Sequence, residues 1–196
     1  METVGGMRPD GGETFDRRVV AVLLADVSGY SALMGEDDER TAHAVRQLHD
    51  FVRRIVSEAR GRAEPVAGDA ILATFESVAA AVEAAIRIQK RIDEETFADM
   101  RLQLRIGVHF GDVLLGESGT QAHGDAINVA SRLQQLARPG TVCVSDGVYR
   151  QIRHRIGERV IDLGRQTLKN ISDPVHAYVI VPGTPSNGRR PARGKR

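Results

Sequence analysis

The chain has 196 residues, of which 41% are hydrophobic and 27% charged, and its formal net charge is +1. This composition is typical of one soluble globular domain and excludes a collagen-like or low-complexity chain. The single cysteine, Cys143, excludes an internal disulfide framework, and no apolar run reaches the roughly 20 residues of a membrane-spanning helix.

The two ends of the chain differ in composition from its middle. Residues 1–16 are rich in glycine and acidic residues, and residues 183–196 combine glycine, proline and basic residues without an acid. Such segments are typically disordered, so we expect one folded domain over residues 17–182. Because basic residues cluster in the tail, the domain itself is not a nucleic-acid-binding surface. We expect a cytoplasmic protein, since the N-terminus lacks the apolar core of a signal peptide.

The first predicted elements are a buried strand and a long helix. Residues 19–26 form an apolar, β-branched run that ends at Asp26, which predicts a strand covered on both faces. Residues 27–37 are interpreted as a turn. Apolar residues at helical spacing then predict a helix over residues 38–59, which Gly61 ends.

The middle of the chain predicts two hairpins and a helix between them. Residues 62–75 are interpreted as two strands joined by a tight turn at Gly68-Asp69. Ser77 is a predicted cap of the next helix. The second hairpin consists of a strand over residues 102–108, a turn at Gly111-Asp112 and a return strand over residues 113–116.

The last third of the chain predicts one helix followed by short strands. Residues 124–138 have helical periodicity, and Pro139-Gly140 stops the helix. Short strands follow over residues 141–145, 157–163 and 175–181. The whole order predicts an α+β fold, with a mixed, ferredoxin-like sheet and helices on one face.

Two aspartates and one Asn/Arg pair carry the chemical signal. Asp26 and Asp69 lie at turns beside apolar strands, where two carboxylates can hold two divalent cations for phosphoryl chemistry. Asn128 and Arg132 are four residues apart and share a helix face, so both can reach one developing charge. Taken singly, each carboxylate also fits an ordinary turn and the pair fits a solvated helix face. Together they predict metal-assisted chemistry on a nucleoside triphosphate.

Five segments in order resemble the catalytic domain of class III nucleotide cyclases. They are VLLADVSGYSALM, GDAILATF, LRIGVHFGDV, GDAINVASRL and LKNISDPVHAY, which together span about residues 19–181. A P-loop nucleotide-binding protein is excluded as an alternative, because the chain has no GxxxxGK[ST] segment.

The resemblance implies a role for each of the two aspartates and for the Asn/Arg pair. Asp26 and Asp69 match the metal-binding aspartates, and the Val27 carbonyl matches a further ligand of two divalent cations, Mn²⁺ or Mg²⁺. Asn128 and Arg132 match the pair that orients the ribose and stabilises the transition state. The metal half and the Asn/Arg half come from different subunits in the family, so a homodimer with two composite sites is implied.

Phosphate contacts are expected from two sources. The small residues after Asp26 allow backbone N–H groups to approach phosphates at a helix start. The resemblance adds an arginine and a lysine. The expected triphosphate-binding residues are Ser28, Gly29, Tyr30, Ser31, Arg105 and Lys169.

The expected base pocket departs from the family. Pro65 stands where adenine-specific members have Lys and guanine-specific members have Glu, and Gln121 replaces a second base reader, usually Asp or Thr. Glu64 precedes Pro65 but is expected to point away, because strand side chains alternate, unless a bulge at Pro65 rotates it inward.

Three functions follow from this pocket. The first is a pyrimidine cyclase that makes cyclic UMP or cyclic CMP, as in the stand-alone cyclases of bacterial antiphage signalling that the chain resembles, with a separate effector reading the product. The second is an adenylate cyclase with an atypical base pocket. The third is an inactive, nucleotide-binding regulatory domain, against which the retained Asp26, Asp69, Asn128 and Arg132 argue.

Overall fold

The centre of the sheet is a pair of long antiparallel strands. In a computed structural model that describes residues 15–66, 68–116 and 122–185, β1 (Phe15–Val27) pairs with β4 (Leu104–Gly116) along its whole length. Both strands are rich in Val, Leu and Ile, which favour the extended backbone and fill a core on each face of the sheet.

The other elements surround this pair. The remaining strands are β2 (Arg62–Pro65), β3 (Ile71–Phe75), β5 (Ala122–His123), β6 (Val142–Ser145), β7 (Glu158–Gln166) and β8 (Val175–Pro185). The helices are α1 (Tyr30–Glu36), α2 (Asp38–Glu58), α3 (Val78–Ile92), α4 (Asp125–Leu136) and α5 (Asp146–Ile152). None of these described helices is both long enough and apolar enough to cross a membrane.

The strands form one mixed sheet in the order β2-β3-β1-β4-β6-β8-β7, with β5 paired to β4. The β4–β6 pair is parallel, and the other pairs are antiparallel. The predicted α+β class and mixed sheet are therefore confirmed.

Helices cover both faces of the sheet rather than one. On one face, α2, α3 and α5 pack on alternate residues of β1 and β4, among them Ala21, Leu23, Ile106 and Val108. On the opposite face, α4 packs on the intervening residues, which include Val20, Val22 and Val113, and on Cys143, Ala177 and Val179 of the neighbouring strands. Because both faces of the central strands are apolar, the sheet can bury both, and the expectation of helices on one face is corrected.

Several predicted boundaries change. The predicted hairpin at Gly111-Asp112 is wrong, because β4 continues through both residues while pairing with β1. The predicted turn over residues 27–37 contains α1, and α5 follows β6 directly. The helix α2 ends at Glu58, and Arg60 adopts the left-handed conformation (φ 59°) that reverses the chain before Gly61.

Other predictions are confirmed. The helix α2 begins at Asp38, and the Ser77 hydroxyl accepts a hydrogen bond from the Ala80 N–H (3.3 Å) at the start of α3. The expected domain limits of 17 and 182 are corrected, because the strands β1 and β8 include residues 15–16 and 183–185. The remainder of both predicted tails lies outside the described residues.

Candidate active site

The carboxylate of Asp26 lies at the end of the central strand pair, where Arg105 of β4 stands opposite it. Arg105 Nε donates to Asp26 Oδ1 (3.1 Å) and Arg105 Nη2 donates to Asp26 Oδ2 (2.9 Å). This forked contact, the charge-assisted geometry that arginine makes with carboxylates, places two predicted site residues in direct contact.

Asp69 reaches the same place from the β2–β3 turn. Its Oδ2 accepts a hydrogen bond from the Val27 backbone N–H at 2.6 Å, across 42 residues of sequence. The turn is closed by a hydrogen bond from the Val66 N–H to the Ala70 carbonyl (2.8 Å). The structure therefore brings Asp26, Val27 and Asp69 together, as the sequence analysis expected.

Opposing influences act on the pKa of the Asp26 carboxyl. Burial raises the pKa of the Asp26 carboxyl, the charge of Asp69 raises it further, and hydrogen bonds from Arg105 and Gln134 lower it. An incoming cation would relieve both the desolvation and the repulsion between the carboxylates.

The donor set fits a hard divalent cation. Carboxylate and carbonyl oxygens are the ligands that Mg²⁺ and Mn²⁺ prefer. No group of three or more His, Cys, Asp or Glu side chains suited to a metal occurs in the described part of the chain. Two carboxylates with the Val27 carbonyl form an incomplete shell, as expected for ions whose remaining ligands are substrate phosphates and water.

The segment after Val27 differs in part from the expectation. Gly29 adopts φ 76° and is the N-cap of α1, so its lack of a side chain is required by the backbone. The Ser28 N–H donates to the Gln103 carbonyl (2.8 Å), so this donor is already engaged and is not free for a phosphate. Tyr30 and Ser31 begin α1, where first-turn N–H groups have no acceptor within the helix.

Asn128 and Arg132 lie on a different side of α4 from the side that contacts Asp26. Arg132 Nε donates to the Lys169 carbonyl (3.1 Å), and Arg132 Nη1 donates to Gln135 Oε1 (3.1 Å). Arg132 and Asn128 are rotated by about 160° and 120° around the helix axis from Gln134, whose amide contacts Asp26. The structure therefore brings Arg132 and Lys169 together but does not bring them to the aspartates of the same chain.

The base-pocket residues lie differently from the expectation. Pro65 pairs with Ile71, whose side chain packs on the α2 and α3 face of the sheet, and Pro65 is exposed. Glu64 pairs with Leu72, which belongs to the α4 face and lies beside Leu24 of β1.

Because residues two apart share a face, Glu64 lies on the face of Asp26, and the expectation that it points away is wrong. The alternation itself places it there, since the paired strands keep a regular register without the bulge that was considered. Gln121 lies outside the described residues.

Gln134 is a site residue that the sequence analysis missed. It is 3% exposed, and its Nε2 donates to Asp26 Oδ1 at 2.6 Å. A signal was available, because Gln134 follows Ala130 by four residues and so occupies the buried stripe of the helix, where an amide needs a partner.

His49 Nε2 lies 3.3 Å from the Asp69 carbonyl oxygen, whereas Cys143 and His109 have other surroundings. Cys143 is buried in β6, and burial raises the pKa of its thiol to about 12, so it is a core residue rather than a nucleophile. His109 on β4 bonds through Nδ1 to the Ser145 hydroxyl (2.8 Å).

The sequence matches the family described as "Adenylate and Guanylate cyclase catalytic domain" over residues 14–182. The chain belongs to this family. The match covers most of the chain, including both aspartates and the Asn/Arg helix, and agrees with the resemblance to class III nucleotide cyclases.

Individual relatives agree with this assignment. The cyclase domain is 35% identical over 175 residues to "Putative adenylate cyclase 3" of Rhizobium meliloti, a match that covers 87% of this chain. It spans 29% of the length of that relative.

Solved structures share the fold. An adenylate/guanylate cyclase/hydrolase from Silicibacter pomeroyi is 36% identical, with a TM-score of 0.76 over 86% of this chain and 99% of that one. The adenylyl cyclase CyaB from P. aeruginosa is 23% identical, with a TM-score of 0.71 over 85% of this chain and 95% of that one. At that lower identity the likeness concerns the fold alone.

Proposed function

We propose that this domain converts a nucleoside triphosphate into a 3′,5′-cyclic nucleotide and pyrophosphate. The observation that carries the proposal is the joining of Asp26, Asp69 and Arg105 at one end of the central strands. In the reaction the ribose 3′-hydroxyl gives its proton to water, its oxygen attacks the α-phosphorus, and the bond from the α-phosphorus to the oxygen that bridges to the β-phosphorus breaks, which releases pyrophosphate. Divalent cations bound there would supply Lewis acidity and neutralise phosphate charge.

The residues of the chain would have separate roles in this reaction. Asp26, Asp69 and the Val27 carbonyl would hold the cations, and Arg105 would exchange its carboxylate partner for a phosphate. Asn128 would orient the ribose. Arg132 would stabilise charge on the transferring phosphoryl group, a role that contributes about 10³–10⁵ in rate when an arginine performs it in other phosphoryl-transfer enzymes.

A homodimer with composite sites is part of this proposal. Arg132 and Asn128 lie away from the aspartates of their own chain, while Gln134 of the same helix contacts Asp26. A second copy would supply the missing Asn/Arg face to each metal half, and twofold symmetry would give two equivalent sites.

For the base, we infer a pyrimidine, UTP or CTP. Pro65 offers neither a side-chain hydrogen bond nor an N–H, and it lies on the sheet face opposite Asp26, so Glu64 is the polar side chain that β2 places on the face of the site. Sites that read a base by hydrogen bonds discriminate by about 10⁴–10⁵, whereas apolar pockets manage about 10–200-fold. Without the lysine of adenine-specific members, selection for adenine would be weak. The cyclic product would then act as a messenger for a separate effector in antiphage signalling.

ATP is the second candidate substrate. The name of the Rhizobium meliloti relative, 35% identical to this chain, favours it. The carboxylate of Glu64 lies on the Asp26 face and can accept a hydrogen bond from the amino group of adenine, guanine or cytosine. Cyclic AMP as the sole product would select this candidate and overturn the pyrimidine assignment.

A product assay tests the proposal. The protein is incubated with Mn²⁺ and with ATP, GTP, CTP or UTP separately, and products are resolved by mass. Cyclic UMP or cyclic CMP is expected from the wild type. No cyclic product from any of the four triphosphates would contradict the cyclase proposal.

A pair of variants supplies the control. Asp69→Asn removes a cation ligand and should lower kcat by more than about 100-fold, beyond the loss typical of outer-shell partners. Asp112→Asn changes the exposed aspartate of a second Gly-Asp pair and should retain wild-type activity. Equal activity in both variants would remove Asp69 from the site.

A further inference from the structure

The Gln134 side chain makes a contact that its place in the fold does not require. It is 3% exposed on the buried side of α4, and its amide donates to Asp26 Oδ1 at 2.6 Å, across 108 residues of sequence. A buried amide requires a hydrogen-bond partner, but backbone carbonyls could serve, as they do for the buried Gln89 of α3. Gln134 instead donates to the carboxylate at the centre of the site.

The close approach of α4 to the sheet makes this contact possible. Gly107 lies two residues beyond Arg105 on the same face of β4. A Cβ atom at Gly107 would overlap the Ala130 carbonyl oxygen and the Gln134 backbone nitrogen, and would lie 2.9 Å from Gln134 Cα. The absence of a side chain there therefore lets the helix rest on the strand, within reach of Asp26.

We propose that Gln134 is a positioning residue that holds the Asp26 carboxylate in its cation-binding orientation. The inference rests on the proposed function, because it takes Asp26 as a cation ligand. Oδ1 of Asp26 accepts from both Gln134 and Arg105, whereas Oδ2 accepts from Arg105. Arg105 is charged and opposes a cation. Gln134 is neutral and fixes the carboxylate without electrostatic competition.

The position of Gln134 gives α4 two functions in a composite dimer. Its buried side would orient the metal-binding aspartate of its own chain, and its Asn128 and Arg132 side would enter the site of the partner. Partners that hydrogen-bond to metal ligands typically contribute 10–100-fold to metal affinity. Loss of Gln134 is therefore expected to weaken the metal half while leaving Arg132 in place.

The first test is Mn²⁺ binding to nucleotide-free protein, measured from the electron paramagnetic resonance signal of free Mn²⁺. Gln134→Met preserves volume and removes the donor, and the Kd should rise by about 10–100-fold. Gln89→Met is the matched control, because it removes another buried helical amide that does not touch the aspartates. It should leave the Kd unchanged even where thermal stability falls.

The following results would contradict the inference. A Gln134→Met Kd within twofold of wild type, in folded protein, would overturn it. Gln134→Ala provides a second variant, and failure of both to fold would assign Gln134 to packing alone. Mn²⁺ binding by wild type that persists in Asp26→Asn would also overturn it. Absence of nucleotide turnover would contradict the proposed function, while the titration would still test Gln134.

Mixed dimers test the assignment to one half of the site. Gln134→Met mixed with Arg132→Ala should recover activity, because one composite site then combines an intact metal half with an intact Arg132. Gln134→Met mixed with Asp26→Ala should recover none, since both changes lie in the metal half. The reverse pattern would place Gln134 with Arg132 and overturn the inference.

Discussion

At the scale of single residues, Arg105 competes with any cation for Asp26. Its guanidinium bonds both oxygens of that carboxylate, and a hydrogen bond to a charged group contributes roughly 1.5–3 kcal/mol. Arg105→Gln should therefore strengthen nucleotide-free Mn²⁺ binding by about tenfold. It should also raise KM for the triphosphate, because the proposed contact between Arg105 and a phosphate would be lost.

The two effects of Arg105→Gln are measured separately, by Mn²⁺ titration and by steady-state kinetics. Gln134→Met is expected to change Mn²⁺ affinity in the opposite direction. A general loss of structure would weaken Mn²⁺ binding in both variants, so opposite shifts exclude it. Weaker Mn²⁺ binding in Arg105→Gln would show that the arginine supports the cation site rather than competing with it.

His109 makes the stability of the fold depend on pH. Burial lowers its pKa from 6.5 to about 4, so the unfolded chain binds this proton more tightly than the folded one. The contribution of His109 to the free energy of unfolding is fully present above pH 6.5 and is lost as the pH falls toward 4. Between pH 7 and pH 5 the wild type should lose about 2 kcal/mol of unfolding free energy through His109.

Urea denaturation at the two pH values measures this loss. His109→Gln retains a partner for the Ser145 hydroxyl and removes the titration, so its pH dependence should be smaller by that amount. His154→Gln, at an exposed position, is the control and should behave as wild type. An unchanged pH dependence in His109→Gln would contradict the buried, neutral imidazole.

At the scale of elements, the contact between α4 and β4 depends on Gly107. A methyl group there would overlap helix backbone, which cannot move aside as a side chain can. Gly107→Ala should cost about 3 kcal/mol, the upper end for overpacked cores. Gly147→Ala places a methyl in open space within α5 and should stabilise by about 0.5–1 kcal/mol. Denaturant midpoints compare the two, and equal stability would contradict the tight contact.

The sequence predicted long elements better than short ones. Helical periodicity over many residues identified α2 and α3, and the Ser77 cap was found because its donor is local. The seven-residue helices α1 and α5 lack enough turns for a periodic signal. Gly111-Asp112 was misinterpreted as a turn because its pairing with β1 is nonlocal, and local sequence cannot reveal it.

The same limit applies to the site. The aspartates and the Asn/Arg pair could be named from residue types and spacing, and Arg105 from the resemblance to the cyclase family. Their contacts could not, since Asp69 bonds Val27 across 42 residues and Gln134 bonds Asp26 across 108. The face of Glu64 likewise depended on the register of β2 against β3, which sequence alternation alone did not fix.

At the scale of the whole molecule, the proposed metal half and the proposed Asn/Arg half of the site lie toward different sides of α4. Asp26 faces the Gln134 side of the helix, and Arg132 lies near Lys169 on another side. Moving Arg132 to Asp26 within one chain would require α4 to rotate and abandon its packing on Gly107 and on Cys143. In the proposed homodimer a second copy would supply the missing half without disturbing that packing.

Mixing two inactive variants tests this arrangement. Asp26→Ala and Arg132→Ala should each be inactive alone, because every site in either homodimer lacks one half. At equal concentrations, random pairing makes half of the dimers mixed, and each mixed dimer has one intact site of two, which predicts about a quarter of wild-type activity. Subunits that exchange, as shown by mass, without recovering activity would place both halves within one chain.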